Sequence, residues 1–120
     1  MEKEVKGFVK SYRDVKEMPM DGGAKIRWAI THREGAENFS MRIISIDRNK
    51  GTPAHSHDYE HEMYIISGNG EATIGKETHS ISTGDFVFIP PNIFHTIHAS
   101  EDMKLICVVP IKAAKEILGE

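Results

Sequence analysis

The sequence predicts an all-β sandwich or barrel that ends in one short helix, and two observations predict it. Short runs of β-branched, aromatic and alternating apolar residues follow one another closely, each closed by Gly, Pro, Asn or Asp. Only the last segment, Ile111 to Leu118, has a helical period, with Ile111, Ala114 and Leu118 on one side. Many strands without interleaved helices exclude a parallel α/β arrangement.

The elements follow in chain order. Lys3 to Val9 reads as an edge strand or arm, and a polar passage then ends in the turn Met18-Pro19-Met20-Asp21-Gly22-Gly23. Lys25 to His32 is a strand, closed by Arg33-Glu34-Gly35-Ala36. Phe39 to Asp47 is a second, broken by Arg48-Asn49-Lys50-Gly51. His61 to Ile66 is a third, and Ser67-Gly68-Asn69-Gly70 is a turn whose residues accept positive φ. Glu71 to Ile74 and Thr78 to Ile81 form a hairpin about Gly75-Lys76, and Gly84-Asp85 leads into Phe86 to Ile89. Pro90-Pro91-Asn92 breaks the pairing before Phe94 to Ala99 and Met103 to Val109 complete the series. One domain is expected over residues 1–120, with a barrel core at about 25–110 and the helix at 111–118.

With 39% apolar and 28% charged residues, the chain has the composition of a globular protein. A net charge of -3 with scattered Lys and Arg offers no footprint for nucleic acid. The single cysteine, Cys107, excludes an internal disulfide and any cysteine-rich zinc motif. Met1 to Lys6 is charged rather than apolar, and no run is long enough to span a bilayer, so a cytoplasmic, membrane-free location is expected.

His55, His57 and His61 fall within seven residues, and His95 follows Pro90-Pro91-Asn92-Ile93-Phe94. Imidazole binds divalent transition metals, and side chains of equal parity on a strand share a face. His55, His57 and His61 have that parity, with Met63 and Ile65 behind them, and His95 is in step with Ile97. His98 points the other way; His32, His79 and His98 are expected to be solvent-facing or structural.

Gly51 to Gly68 reads Gly-Thr-Pro-Ala-His-Ser-His-Asp-Tyr-Glu-His-Glu-Met-Tyr-Ile-Ile-Ser-Gly, and Gly84 to His95 reads Gly-Asp-Phe-Val-Phe-Ile-Pro-Pro-Asn-Ile-Phe-His. In that order and at that separation, these stretches resemble the first and second motifs of the cupins. The resemblance implies a double-stranded β-helix barrel of the jelly-roll type and one divalent metal per chain. It also implies a homodimer in which an N-terminal strand, here Lys3 to Val9, joins the partner's sheet.

Most cupins have a glutamate as third ligand, seven residues before the motif's glycine; here that position is His61. The chain is similar to the small four-histidine cupins, with His55, His57, His61 and His95 as ligands. Glu62 is the competing ligand and Glu60 lies nearby; parity turns both away unless a bulge reverses it. Four neutral imidazoles would leave the site at +2, a stronger Lewis acid than a site with a glutamate, with two open positions on an octahedral ion. Zn, Cu, Fe, Ni and Mn all suit such donors, Mn or Fe if the chemistry is redox.

Met63, Ile97 and Leu105 are expected as the apolar wall of barrel and pocket. Cys107, in step with Leu105 and Val109, is a core residue or, through the resemblance, a neighbour of the metal. Arg42 is expected to snorkel outward by default, or else to enter the pocket and pair with a carboxylate substrate. The leading functional expectation is a metal-dependent oxidoreductase of dioxygenase type acting on a small, largely apolar molecule. A Lewis-acid isomerase or decarboxylase and a non-catalytic binding module are the alternatives.

Overall fold

The computed structural model describes residues 5–120. Nine strands occur in chain order: β1 (Glu17–Pro19), β2 (Lys25–Ile30), β3 (Phe39–Ile46), β4 (His61–Ser67), β5 (Asn69–Ile74), β6 (Glu77–Ser82), β7 (Phe86–Ile89), β8 (His95–Ala99) and β9 (Met103–Pro110). One helix, α1 (Ile111–Leu118), follows. Two single-turn 3-10 helices lie at Tyr12–Asp14 and His32–Glu34, the second fixed by a capping box between Thr31 and Glu34.

Among the described residues, every pairing between these strands is antiparallel. A six-stranded sheet has the order β1-β2-β3-β9-β4-β7, and a three-stranded sheet the order β6-β5-β8. This is the jelly-roll barrel that the resemblance implied, within the all-β sandwich or barrel expected from the strand pattern. Alternation decides what faces inward: Ser40, Arg42, Ile44 and Ile46 on β3 are buried, as are His61, Met63 and Ile65 on β4. On β9 the buried set is Met103, Leu105, Cys107 and Val109, and on β8 it is His95, Ile97 and Ala99. Ile65, Leu105 and Cys107 are fully buried at the centre.

The chain changes sheets between β4 and β5 at Gly68. Its φ of +89° suits only glycine, and an added Cβ would fall against the carbonyl oxygen of Asp102. The expected four-residue turn is therefore a one-residue pivot, because Asn69 and Gly70 already pair with Ser82 and Ile81. The hairpin about Gly75-Lys76 is present, with Ile74 opposite Glu77. Strand β1 was not foreseen; its three residues are exposed and are held by pairing with β2.

Of the arm Lys3 to Val9, Lys3 and Glu4 lie outside the described residues, and Val5 to Val9 runs without strand pairing in this chain. No described helix is long and apolar enough to cross a membrane.

Candidate metal centre

The four motif histidines reach one cavity from two kinds of backbone. His61 opens β4 and His95 opens β8, both buried inside the barrel. His55 and His57 come from the irregular segment between β3 and β4. That segment is pinned to β8 by reciprocal backbone bonds, His55 N–H to the His95 carbonyl (3.2 Å) and His95 N–H to the His55 carbonyl (2.9 Å). Asn92, in the left-handed region at φ 65°, donates its N–H to the His57 carbonyl and holds the other side of the loop.

Ring centroids of His61 and His95 are 4.7 Å apart, those of His57 and His61 5.3 Å, and those of His55 and His95 5.5 Å. Ligand nitrogens of His55, His57 and His95 all lie within 4.8 Å of one another; His61 is outside that close set, with its ring 4.7 Å from that of His95 and 5.3 Å from that of His57. Nε2 of His55 and Nε2 of His57 are 2.9 Å apart. That is about the separation of two nitrogens each roughly 2.1 Å from one ion and at right angles.

Second contacts orient the rings. His95 Nδ1 lies 2.9 Å from the Ile93 carbonyl, so Nδ1 is the protonated nitrogen and the lone pair of Nε2 is free. The ring of Tyr59, missed in the sequence reading, stacks on His57 at 4.6 Å and 6°. His61 Nδ1 lies 3.4 Å from an Arg42 amino nitrogen and 3.6 Å from Cys107 Sγ, while its Nε2 is buried without a partner. An orphaned ring nitrogen among three further imidazoles fits a metal ion.

The electrostatics agree with that fit. Burial is the first cause that lowers the pKa of all four rings, and the Arg42 charge adds to it. His57 is brought down to about 4, with His55 as its second cause, and His61 to about 2. At neutral pH the rings are therefore uncharged, the form that binds metal.

The cavity measures about 40 Å³ and is lined by these histidines, Arg42, Thr52 and the apolar Met20, Ile44, Pro53 and Met63. Ile97 and Leu105, expected on the pocket wall, are core residues behind it. Glu60 and Glu62 are exposed, Glu62 lying opposite Phe88 on the outer face of the sheet. The outward default for Arg42 is corrected: it is 5% exposed, with its guanidinium over the Trp28 ring at 4.9 Å. The register explains this, because Trp28, Arg42, Cys107 and Met63 form one row across β2, β3, β9 and β4. Cys107 is both things the sequence allowed, a fully buried core residue and a neighbour of the histidines.

His32 binds Glu120, and His79 and His98 are exposed. Larger hollows, about 520 Å³ beside β6 and β7 and about 350 Å³ under Phe8 to Val15, hold no converging ligand set among the described residues.

The sequence model of the cupin domain family matches residues 42–109. L-ectoine synthase of Hahella chejuensis is 33% identical over 72 residues, 58% of this chain and 54% of that one. L-ectoine synthase of a Marinomonas species is 32% identical over 89 residues, 71% of this chain and 68% of that one. The chain thus spans about half of the first enzyme and two thirds of the second. Among solved structures, the polyketide cyclase RemF from Streptomyces resistomycificus superposes with a TM-score of 0.80. It is 24% identical, over 88% of this chain and 80% of that chain, which is a likeness of fold.

Proposed function

This chain belongs to the cupin family, and on that premise we propose that it is a metal-dependent enzyme whose ion is held by His55, His57, His61 and His95. The observation that supports this most is the meeting of four uncharged imidazoles in one cavity, one of them with a buried, unpartnered nitrogen. A divalent ion there would supply Lewis acidity and, if it is Mn or Fe, a change of oxidation state.

The finer reading is an oxidoreductase of dioxygenase type acting on a small molecule. It is favoured by what the cavity lacks: among the described lining residues there is no carboxylate, and Glu60 and Glu62 face away. Tyr59, pushed up to about 12 by burial, is a poor base at neutral pH. With no protein base at hand, the ion is left as the reactive group.

A second reading, Lewis-acid chemistry without redox, is favoured by the relatives, since the names polyketide cyclase and L-ectoine synthase do not denote oxygenases. A homodimer is part of the same proposal. Phe86 and Phe88 on the outer face of β7 are exposed and available for burial, which light scattering would test.

The test is metal analysis of protein purified without added metal, together with His61→Ala and Glu62→Gln. About one ion per chain, lost only in His61→Ala, supports the four-histidine centre; loss only in Glu62→Gln overturns it. Zinc-loaded and manganese-loaded protein are then compared for oxygen uptake. Equal turnover with zinc, which has no second oxidation state here, selects the Lewis-acid reading.

A further inference from the structure

Among the described residues, Arg42 is a buried cation without an anion. Guanidinium stays protonated in proteins, and an uncompensated buried charge is costly. Two other arginines do have an anion: Arg27 meets Glu17 and two backbone carbonyls, and Arg33 meets Glu120 through several bonds. Among the described residues no carboxylate forms an ion pair with Arg42. Among the described residues, one amino nitrogen has only the long contacts to His61 and Cys107, and Nε has no partner.

Arg42 also lines the histidine cavity. Its charge lies among four uncharged rings, and a divalent ion would add to it without any acidic ligand to offset the sum. A guanidinium presents parallel N–H groups that match a carboxylate.

We propose that the cavity binds small organic acids, with the ligand's carboxylate paired to the guanidinium of Arg42. This rests on the metal-centre reading for the ion but not for the arginine, whose charge is present without metal. At about 40 Å³, where about 10–15 Å³ is enough to hold one water, the cavity admits a head group and little more. The body of the ligand would therefore lie outside the cavity, on the side of His55 and His57, which are less buried than His61 and His95. The largely apolar substrate expected from the sequence becomes an apolar or neutral body on an acidic head.

The test uses formate, pyruvate and succinate as probes, with pyruvamide as the neutral counterpart of pyruvate. Binding is measured by calorimetry on metal-loaded and chelator-treated protein, with metal content and circular dichroism recorded for every sample. At least one acid is expected to bind the wild type, with pyruvamide at least about tenfold weaker than pyruvate if pyruvate is that acid. Arg42→Met is expected to keep its metal and lose acid binding about tenfold or more, with Arg42→Lys, which keeps charge but not the fork, between them.

Failure of all three acids to bind, or an Arg42→Met protein that holds metal and binds acid as the wild type does, overturns the proposal. If Arg42→Met does not fold, Arg42→Lys decides: unchanged affinity overturns, weakened affinity supports. Wild type that holds no metal yet binds acid through Arg42 sinks the metal reading and leaves this one standing.

Discussion

The sulfur of Cys107 lies 3.6 Å from Nδ1 of His61, with both side chains buried in the barrel. An imidazole that gives its Nε2 lone pair to an ion keeps its proton on Nδ1, and that proton needs an acceptor. Arg42 stands nearer to Nδ1, at 3.4 Å, but has only donors. Cys107 is the acceptor within reach, and with an ion on Nε2 it would orient His61.

Cys107→Ala is therefore expected to weaken metal binding by about tenfold or more, the usual effect of losing such a partner. Cys107→Ser keeps an acceptor and should lose less. Competition against a chelator measures both, and equal affinity in Cys107→Ala and wild type would remove the role given to the sulfur.

Arg42→Met bears on stability as well as binding. Because the guanidinium is buried without a carboxylate, a side chain of similar length and no charge should fold at least as well. The metal-free variant is expected to melt at or above the wild-type temperature. A clear drop would mean that packing over Trp28 outweighs the unpaired charge.

The histidines make metal-free stability depend on pH in a fixed direction. Their folded pKa values are depressed from 6.5, so between about 6.5 and 4 the unfolded chain binds more protons than the folded one. Their contribution is fully present above 6.5 and is lost as pH falls. Urea midpoints of metal-free protein should decline from pH 7.5 to pH 5, before most carboxylates titrate. A flat or rising midpoint over that interval contradicts the burial of these rings.

Two glycines separate backbone strain from steric collision. Gly84, at φ +94°, has open space where a Cβ would go, so Gly84→Ala should cost only the left-handed penalty of about 1–2 kcal/mol. At Gly68 the same change also drives a Cβ into the backbone of Asp102, and it should destabilise much more or prevent folding. Equal melting temperatures for the two variants would show that the pivot between sheets is pliable.

The sequence marked the strands to within a residue or two where they are long and alternate, because burial on one face imposes a period of two. The same period turned Glu62 outward and His61 inward. β1 escaped notice since three exposed residues have no such pattern; only the pairing of Met18 with Ile26 makes them a strand. Arg42 was misplaced because charge argues for the surface, and its burial depends on neighbours far away in the chain. Trp28 and Cys107 stand beside it only once β2, β3 and β9 are in register. The stacking of Tyr59 on His57 is likewise a matter of loop shape, with no local signature.

The four rings are mounted unequally, two at the starts of strands and two on a segment outside the named strands. An ion would be held by one pair built into the sheets and one pair carried on a loop that backbone bonds tie to β8. Changes in β4 or β8 should therefore disturb barrel and ion together, and changes from Gly51 to Glu60 chiefly the ion.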